Sequence, residues 1–180
     1  SSQNRLWLLS QFENGNVAYN MPSVFQLKGD LNFSALERAF KSLIERHESL
    51  RTNFKEDESG KVRQFILSIE ESKFQLQFED VSQEENSDII LKDIIKTETN
   101  YSFDLSSDSL LRAKLINTVD NNFVFVFVMH HIISDGQSSE IMTNELFTLY
   151  ESFSQEKENL LPELPLQYKD YATWQQNNLK

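Results

Sequence analysis

Between Ser34 and Ser49 the residues Leu36, Ala39, Phe40, Leu43, Ile44 and His47 recur at steps of three and four, which places them on one stripe of a helix. Ser34 and Glu37 have capping-box spacing and mark its predicted start. The same period returns through Ile89, Ile90, Ile94 and Ile95 within Asp88 to Glu98, and through Ile141, Leu146, Leu149 and Tyr150 within Gln137 to Phe153. Ser2 to Gln11, with Leu6, Trp7, Leu8 and Leu9, predicts a short opening helix capped by Ser1 or Ser2. Strands are predicted at Met21 to Lys28, where Gly29-Asp30 ends the run, and at Arg51 to Lys55, Val62 to Leu67 and Phe74 to Phe78, with a polar turn at Glu56 to Gly60. Leu110 to Thr118 and Phe123 to Met129 flank Asp120-Asn121-Asn122 and predict a hairpin. A polar, proline-punctuated link over 153–165 leads to a terminal helix over 166–178, centred on Tyr168 to Asn177.

Phe123 to Met129 has no polar residue, so the strand must be covered on both faces and lie inside a sheet. The expected fold class is α/β: a mixed sheet with packed helices, most of them on one side, around this central strand.

Composition narrows the picture. The 180 residues suit one domain or one lobe of a larger one, and 39% hydrophobic residues with 14 Phe argue for a packed core. A formal charge of −11 disfavours duplex nucleic acid and anionic membranes as partners, and means that an acidic protein partner would need a local basic patch. The absence of cysteine removes disulfides, thiolate nucleophiles and zinc-thiolate sites, so any thiol chemistry comes from a partner; it suits a cytoplasmic protein. No apolar run reaches the roughly 18 residues of a membrane-spanning helix. The start at Ser1 shows neither a signal peptide nor an initiator Met, as expected of an excised piece.

The candidate chemistry is concentrated in His130-His131-Ile132-Ile133-Ser134-Asp135-Gly136, which holds two of the three histidines and lies between the apolar strand and a helix. Side chains alternate along a strand, so Phe123, Phe125, Phe127, Met129 and His131 share one face, while Val124, Val126, Val128 and His130 share the other. The two imidazoles therefore cannot do the same job. A lone histidine after an apolar strand is more often a satisfied core residue than a catalyst; that bland reading is kept for His130, whereas the full motif favours a functional His131. No metal site is expected, because adjacent strand residues diverge and Asp135 is the only other obvious ligand nearby. Gly136-Gln137-Ser138-Ser139-Glu140 lacks the second glycine of a nucleophile elbow. Ser59-Gly60-Lys61-Val62 lacks the earlier glycine of a phosphate loop, where Lys55 stands instead.

His130 to Gly136 resembles the HHxxxDG signature of the condensation domains of nonribosomal peptide synthetases, which are built like chloramphenicol acetyltransferase. Ser1-Ser2-Gln3-Asn4-Arg5-Leu6-Trp7 is similar to the family's opening SxAQxRLW, with Ser2 in place of Ala. Arg46 to Phe54 resembles RHExLRTxF without departure, and Tyr168 to Gln175 resembles YxDFAxWQ with Tyr171 in place of Phe. Phe103-Asp104-Leu105 before Leu110-Leu111-Arg112 matches a weaker family pattern, and the opening together with Tyr19 to Pro22 looks most like the subtype that takes an L-configured donor. The resemblance implies that residues 1–180 are the amino-terminal lobe of a domain whose second, carboxy-terminal lobe lies beyond them.

For function, the resemblance implies amide bond formation between a carrier-bound acyl or peptidyl thioester and a carrier-bound aminoacyl group, in antibiotic or other secondary metabolite biosynthesis. The isolated lobe is expected to be inactive. The expected catalytic residues are His131, His130, Asp135 and Gly136, with His131 accepting a proton from the attacking amine or holding it in line. Gly136 opens a helix whose N–H groups could face the thioester oxygen. Asp135 is expected to form a structural ion pair with Arg46, turned away from the channel. No cofactor is bound directly; substrates arrive on the phosphopantetheine of donor and acceptor peptidyl carrier proteins, and an adjacent adenylation domain is a further partner. Two alternatives remain open: a non-catalytic lobe that docks a carrier protein, and a coenzyme A-dependent acyltransferase.

Overall fold

The computed structural model describes residues 2–11 and 16–178. A helix α1 (Ser2–Ser10) precedes strand β1 (Asn20–Lys28), helix α2 (Phe33–Arg46), and strands β2 (Thr52–Glu56), β3 (Val62–Ile66) and β4 (Leu76–Asp80). Helix α3 (Ser87–Thr99), strands β5 (Leu111–Asn117) and β6 (Asn122–His130), and helices α4 (Gly136–Ser154) and α5 (Tyr168–Asn178) follow. The main sheet has the order β1-β6-β5-β4: β6 pairs antiparallel with both neighbours, and β4 runs parallel to β5. It is the expected mixed sheet. The parallel pair requires a crossover, which α3 supplies. β2 and β3 form a separate antiparallel hairpin.

β6 is central, and every residue from Val124 to His130 is buried. On its phenylalanine face, Phe125 meets Phe40 of α2, and Phe25 of β1 stacks on Phe127 and meets Phe147 of α4 edge-on. On its valine face, Lys114 and Arg112 of β5 stand opposite Val126 and Val128, and both cations pair with Glu98 of α3. Helices thus cover both faces, α2 and α4 on one and α3 on the other, so the larger share lies on one side, as expected. An all-apolar central strand requires this second cover.

Several boundaries differ from the expected ones for local reasons. The cap of α2 is Asn32, whose side chain accepts the Ala35 N–H at 3.0 Å, so the helix begins one residue before Ser34 and the Ser34/Glu37 box is not used. It ends at Arg46, and Glu48–Arg51 form a 3-10 turn. Lys73 adopts the left-handed conformation, which delays β4 to Leu76 and leaves Phe74 outside the strand. The β5–β6 hairpin forms as predicted, with Asp120 and Asn121 both at positive φ, as a two-residue I′ turn demands. The link between α4 and α5 occupies 155–167 rather than 153–165. Of the two proposed caps for α1, Ser1 lies outside the described residues.

Candidate active site

The site is assembled where β6 leaves the sheet. The last two peptides are held from both sides: His130 N–H donates to Leu110 O at 3.0 Å, and His131 N–H donates to Tyr19 O at 2.8 Å. The chain then turns, and Ile133 N–H donates to His130 O at 3.1 Å.

His130 is 0% exposed. Its Nδ1 accepts the Ile132 N–H at 3.1 Å, so the neutral ring carries its proton on Nε2. Tyr19 and Phe103 pack around it at ring-centroid distances of 6.4 and 6.1 Å. Burial, and after it the neighbouring His131, lower its pKa to about 4, so it is a neutral core residue at ordinary pH. His130 therefore shapes the turn rather than facing the cavity.

His131 emerges on the opposite side and is exposed. It lines a cavity of about 500 Å³ whose wall also includes Gln3, His47, Asp135, Tyr168 and Tyr171. Tyr168 and Tyr171 of α5 are each exposed, which makes this wall aromatic as well as polar.

Asp135 caps α4. Its carboxylate accepts the Ser138 N–H at 2.8 Å and the Ser138 hydroxyl, and its own N–H donates to Ser138 Oγ at 2.9 Å. These bonds from Ser138, the hydroxyl foremost, hold its pKa below the usual carboxylate range, with a smaller contribution from His131. Gly136 is the first residue of α4, and a Cβ there would meet no atom within 4 Å. A side chain there would stand in open space, and the first N–H groups of the helix have no intrahelical backbone acceptor.

The expected Arg46–Asp135 ion pair is not formed. The carboxylate beside Arg46 is Glu145 of α4, at 3.1 Å from Nε, and Arg46 also donates to Pro162 O. Asp135 is satisfied locally by Ser138, as a cap requires. Glu145 further binds His47 Nε2 at 2.5 Å, while Gln167 donates to Arg46 O at 2.9 Å, so the link is clasped to the end of α2 at Pro162 and Gln167. The sequence reading missed Glu145. Its signal was a carboxylate three residues after Met142 and four after Ile141, in line with the apolar stripe of α4.

The reading also assigned no role to Gln3, although Gln3 stands in the opening motif. Gln3 Nε2 donates to Ile132 O at 3.0 Å, within the turn that carries His131.

Comparison with known proteins places this geometry. The family model described as "Condensation domain" matches residues 1–180. Gramicidin S synthase 2 of Brevibacillus brevis is 44% identical over 175 residues, which cover 97% of this chain and 4% of that protein. Gramicidin S synthase 2 of Aneurinibacillus migulanus is likewise 44% identical over 175 residues, again covering 97% of this chain and 4% of that protein. The chain thus spans 4% of the length of these two curated relatives. Among solved structures, the starter condensation domain of the rhizomide synthetase RzmA superposes with a TM-score of 0.87 at 16% identity, over 99% of this chain and 43% of that one, which establishes the shared fold.

Proposed function

Because the chain belongs to the condensation-domain family, we propose that it is the amino-terminal lobe of a unit that forms amide bonds between carrier-bound substrates, with His131 as the group at the reacting amine. The observation that carries this reading is the divergence of the paired histidines: His130 is sealed into the core, and His131 stands at the cavity wall. In the reaction the acceptor amine attacks the donor thioester carbonyl. A C–N bond forms, the C–S bond breaks, and the amine must lose a proton while the departing thiolate gains one. An imidazole at the amine takes up that proton or holds the lone pair on line. The Gly136 and Gln137 N–H groups at the start of α4, which precede the Ser138 N–H taken by Asp135, suit the oxygen that gains negative charge as the carbonyl is attacked.

On this reading both substrates ride on phosphopantetheine arms of donor and acceptor carrier proteins, and the chain itself holds no cofactor. A second lobe closes the cavity, whose wall includes Tyr168 and Tyr171, and an adenylation domain of the same cytoplasmic synthetase supplies the aminoacyl group. Asp135 orients the entrance to α4, where its Oδ1 accepts from both the N–H and the hydroxyl of Ser138. The test is His131→Ala in the complete synthetase, with both carriers loaded beforehand. Amide formation is expected to fall about 10²- to 10⁴-fold with loading unchanged; turnover within a few-fold of wild type would remove His131 from the chemistry.

A further inference from the structure

The turn that carries His131 is held at Ile132 from two directions. The Ile132 N–H donates to His130 Nδ1 at 3.1 Å, from within the core. The Ile132 carbonyl accepts from Gln3 Nε2 at 3.0 Å, across 129 positions of sequence. Gln3 is itself set by a third element: Gln64 Nε2 of β3 donates to Gln3 Oε1 at 2.5 Å. The Ile132 carbonyl, which can only accept, decides the orientation of the Gln3 amide. Nε2 must face it, which leaves Oε1 to accept from Gln64, and a flipped amide would set oxygen against oxygen at Ile132. The preceding peptide, at His131, is fixed by Tyr19 O. His131 thus sits between one anchored peptide and one residue gripped at both its N–H and its C=O, and Gln3 lines the same cavity as the imidazole it steadies.

We infer that Gln3, held by Gln64, is a positioning residue that aims His131 by gripping the Ile132 carbonyl. This rests on the proposed role of His131 at the reacting amine. The relay joins the opening helix and the β2–β3 hairpin to the reactive turn, and its contribution is to the angle of the imidazole rather than to substrate contact. Small displacements of a positioned group have large kinetic effects, up to about 10²-fold for roughly 1 Å.

The experiment uses the complete synthetase module with loaded carriers. Gln3→Glu keeps the size of the side chain and its acceptor toward Gln64, but removes the donor to Ile132 and sets a carboxylate against that carbonyl. It is expected to lower kcat for amide formation about ten- to a hundredfold, with KM for the acceptor carrier within twofold. Gln64→Ala, which removes the donor that holds Gln3 Oε1, is expected to give a smaller loss of the same kind. In a His131→Ala background Gln3→Glu is expected to add nothing further. The nitrogen NMR signals of the His131 ring, read in the complete condensation domain, are expected to shift in Gln3→Glu.

An unmoved His131 ring signal, or an equal loss of kcat with and without His131, would overturn the inference. Wild-type turnover in His131→Ala alone would instead sink the proposed function, and the ring signal would still report whether Gln3 sets the turn.

Discussion

Acidification should destabilise this fold through one residue. His130 is buried and neutral, with its pKa lowered from 6.5 to about 4 by burial first and by His131 second. A lowered histidine pKa means that the unfolded chain binds the proton more readily than the folded one. Stability therefore falls as pH drops below about 6.5, and the loss is complete only near pH 4. At about 1.36 kcal/mol per tenfold difference in proton affinity, the whole effect amounts to about 3 kcal/mol. Over half of it accrues above pH 5, before the hydrogen-bonded carboxylates Asp57, Asp80, Asp104 and Asp135, whose pKa values are all lowered, begin to take up protons. The assay is urea unfolding of the chain at steps between pH 7 and pH 5, for wild type and for His130→Asn. Asn keeps an acceptor near the Ile132 N–H and cannot ionise. The variant is expected to be less stable at pH 7, because a cavity opens beside Phe103 and Tyr19, yet to lose about 2 kcal/mol less than wild type on acidification. Parallel pH profiles for the two proteins would refute the account, because they would place the titrating group elsewhere.

The ion-pair geometry gives Arg46 the carboxylate of Glu145 in place of the expected Asp135. Glu145→Ala leaves Arg46 and His47 without their shared partner at sites where the Arg46 and Glu145 side chains are 11% and 14% exposed, and is expected to cost about 3 kcal/mol in denaturant unfolding. Asp135→Ala removes an exposed cap and is expected to cost about 1 kcal/mol, with Asp135→Asn nearly neutral. The 180-residue chain is expected to fold, shown by a cooperative thermal transition, and to form no amide product from loaded carriers until a separately made second lobe is added.

Periodicity carried much of this structure. The stripe of α2, the hairpin at Asp120-Asn121 and the split of the two histidines across β6 all follow from spacing and parity, which are local properties of the chain. Failures occurred where a distant partner overrode the local pattern. In α3 the predicted apolar Ile89 is 61% exposed, while Glu98 is 4% exposed. No pattern within the helix could foretell that Arg112 and Lys114, brought alongside by β5, would make burial of that carboxylate acceptable. Arg46 failed for the same reason. A family pattern offered Asp135 as partner, but Asp135 stands at a helix start where Ser138, three residues on, satisfies it first. The relay from Gln64 through Gln3 to Ile132 spans 61 and 129 positions, and polar contacts at that range leave no period in the sequence.

The doubled histidine places two imidazoles side by side, and the structure gives them opposite electrostatic surroundings. Were His130 ionised, its charge would oppose any proton arriving on His131. Burial keeps it neutral down to about pH 4 and removes that opposition. On the other side of His131 lies Asp135, held in its ionised form by the Ser138 hydroxyl and N–H, close enough for the two charges to interact. On the proposed role of His131, the proton of the attacking amine would arrive with the Asp135 charge within electrostatic range and with His130 uncharged. The capping box of α4 thus has an electrostatic consequence beyond helix stability, because the hydrogen bonds from Ser138 that start the helix also keep the Asp135 carboxylate negative.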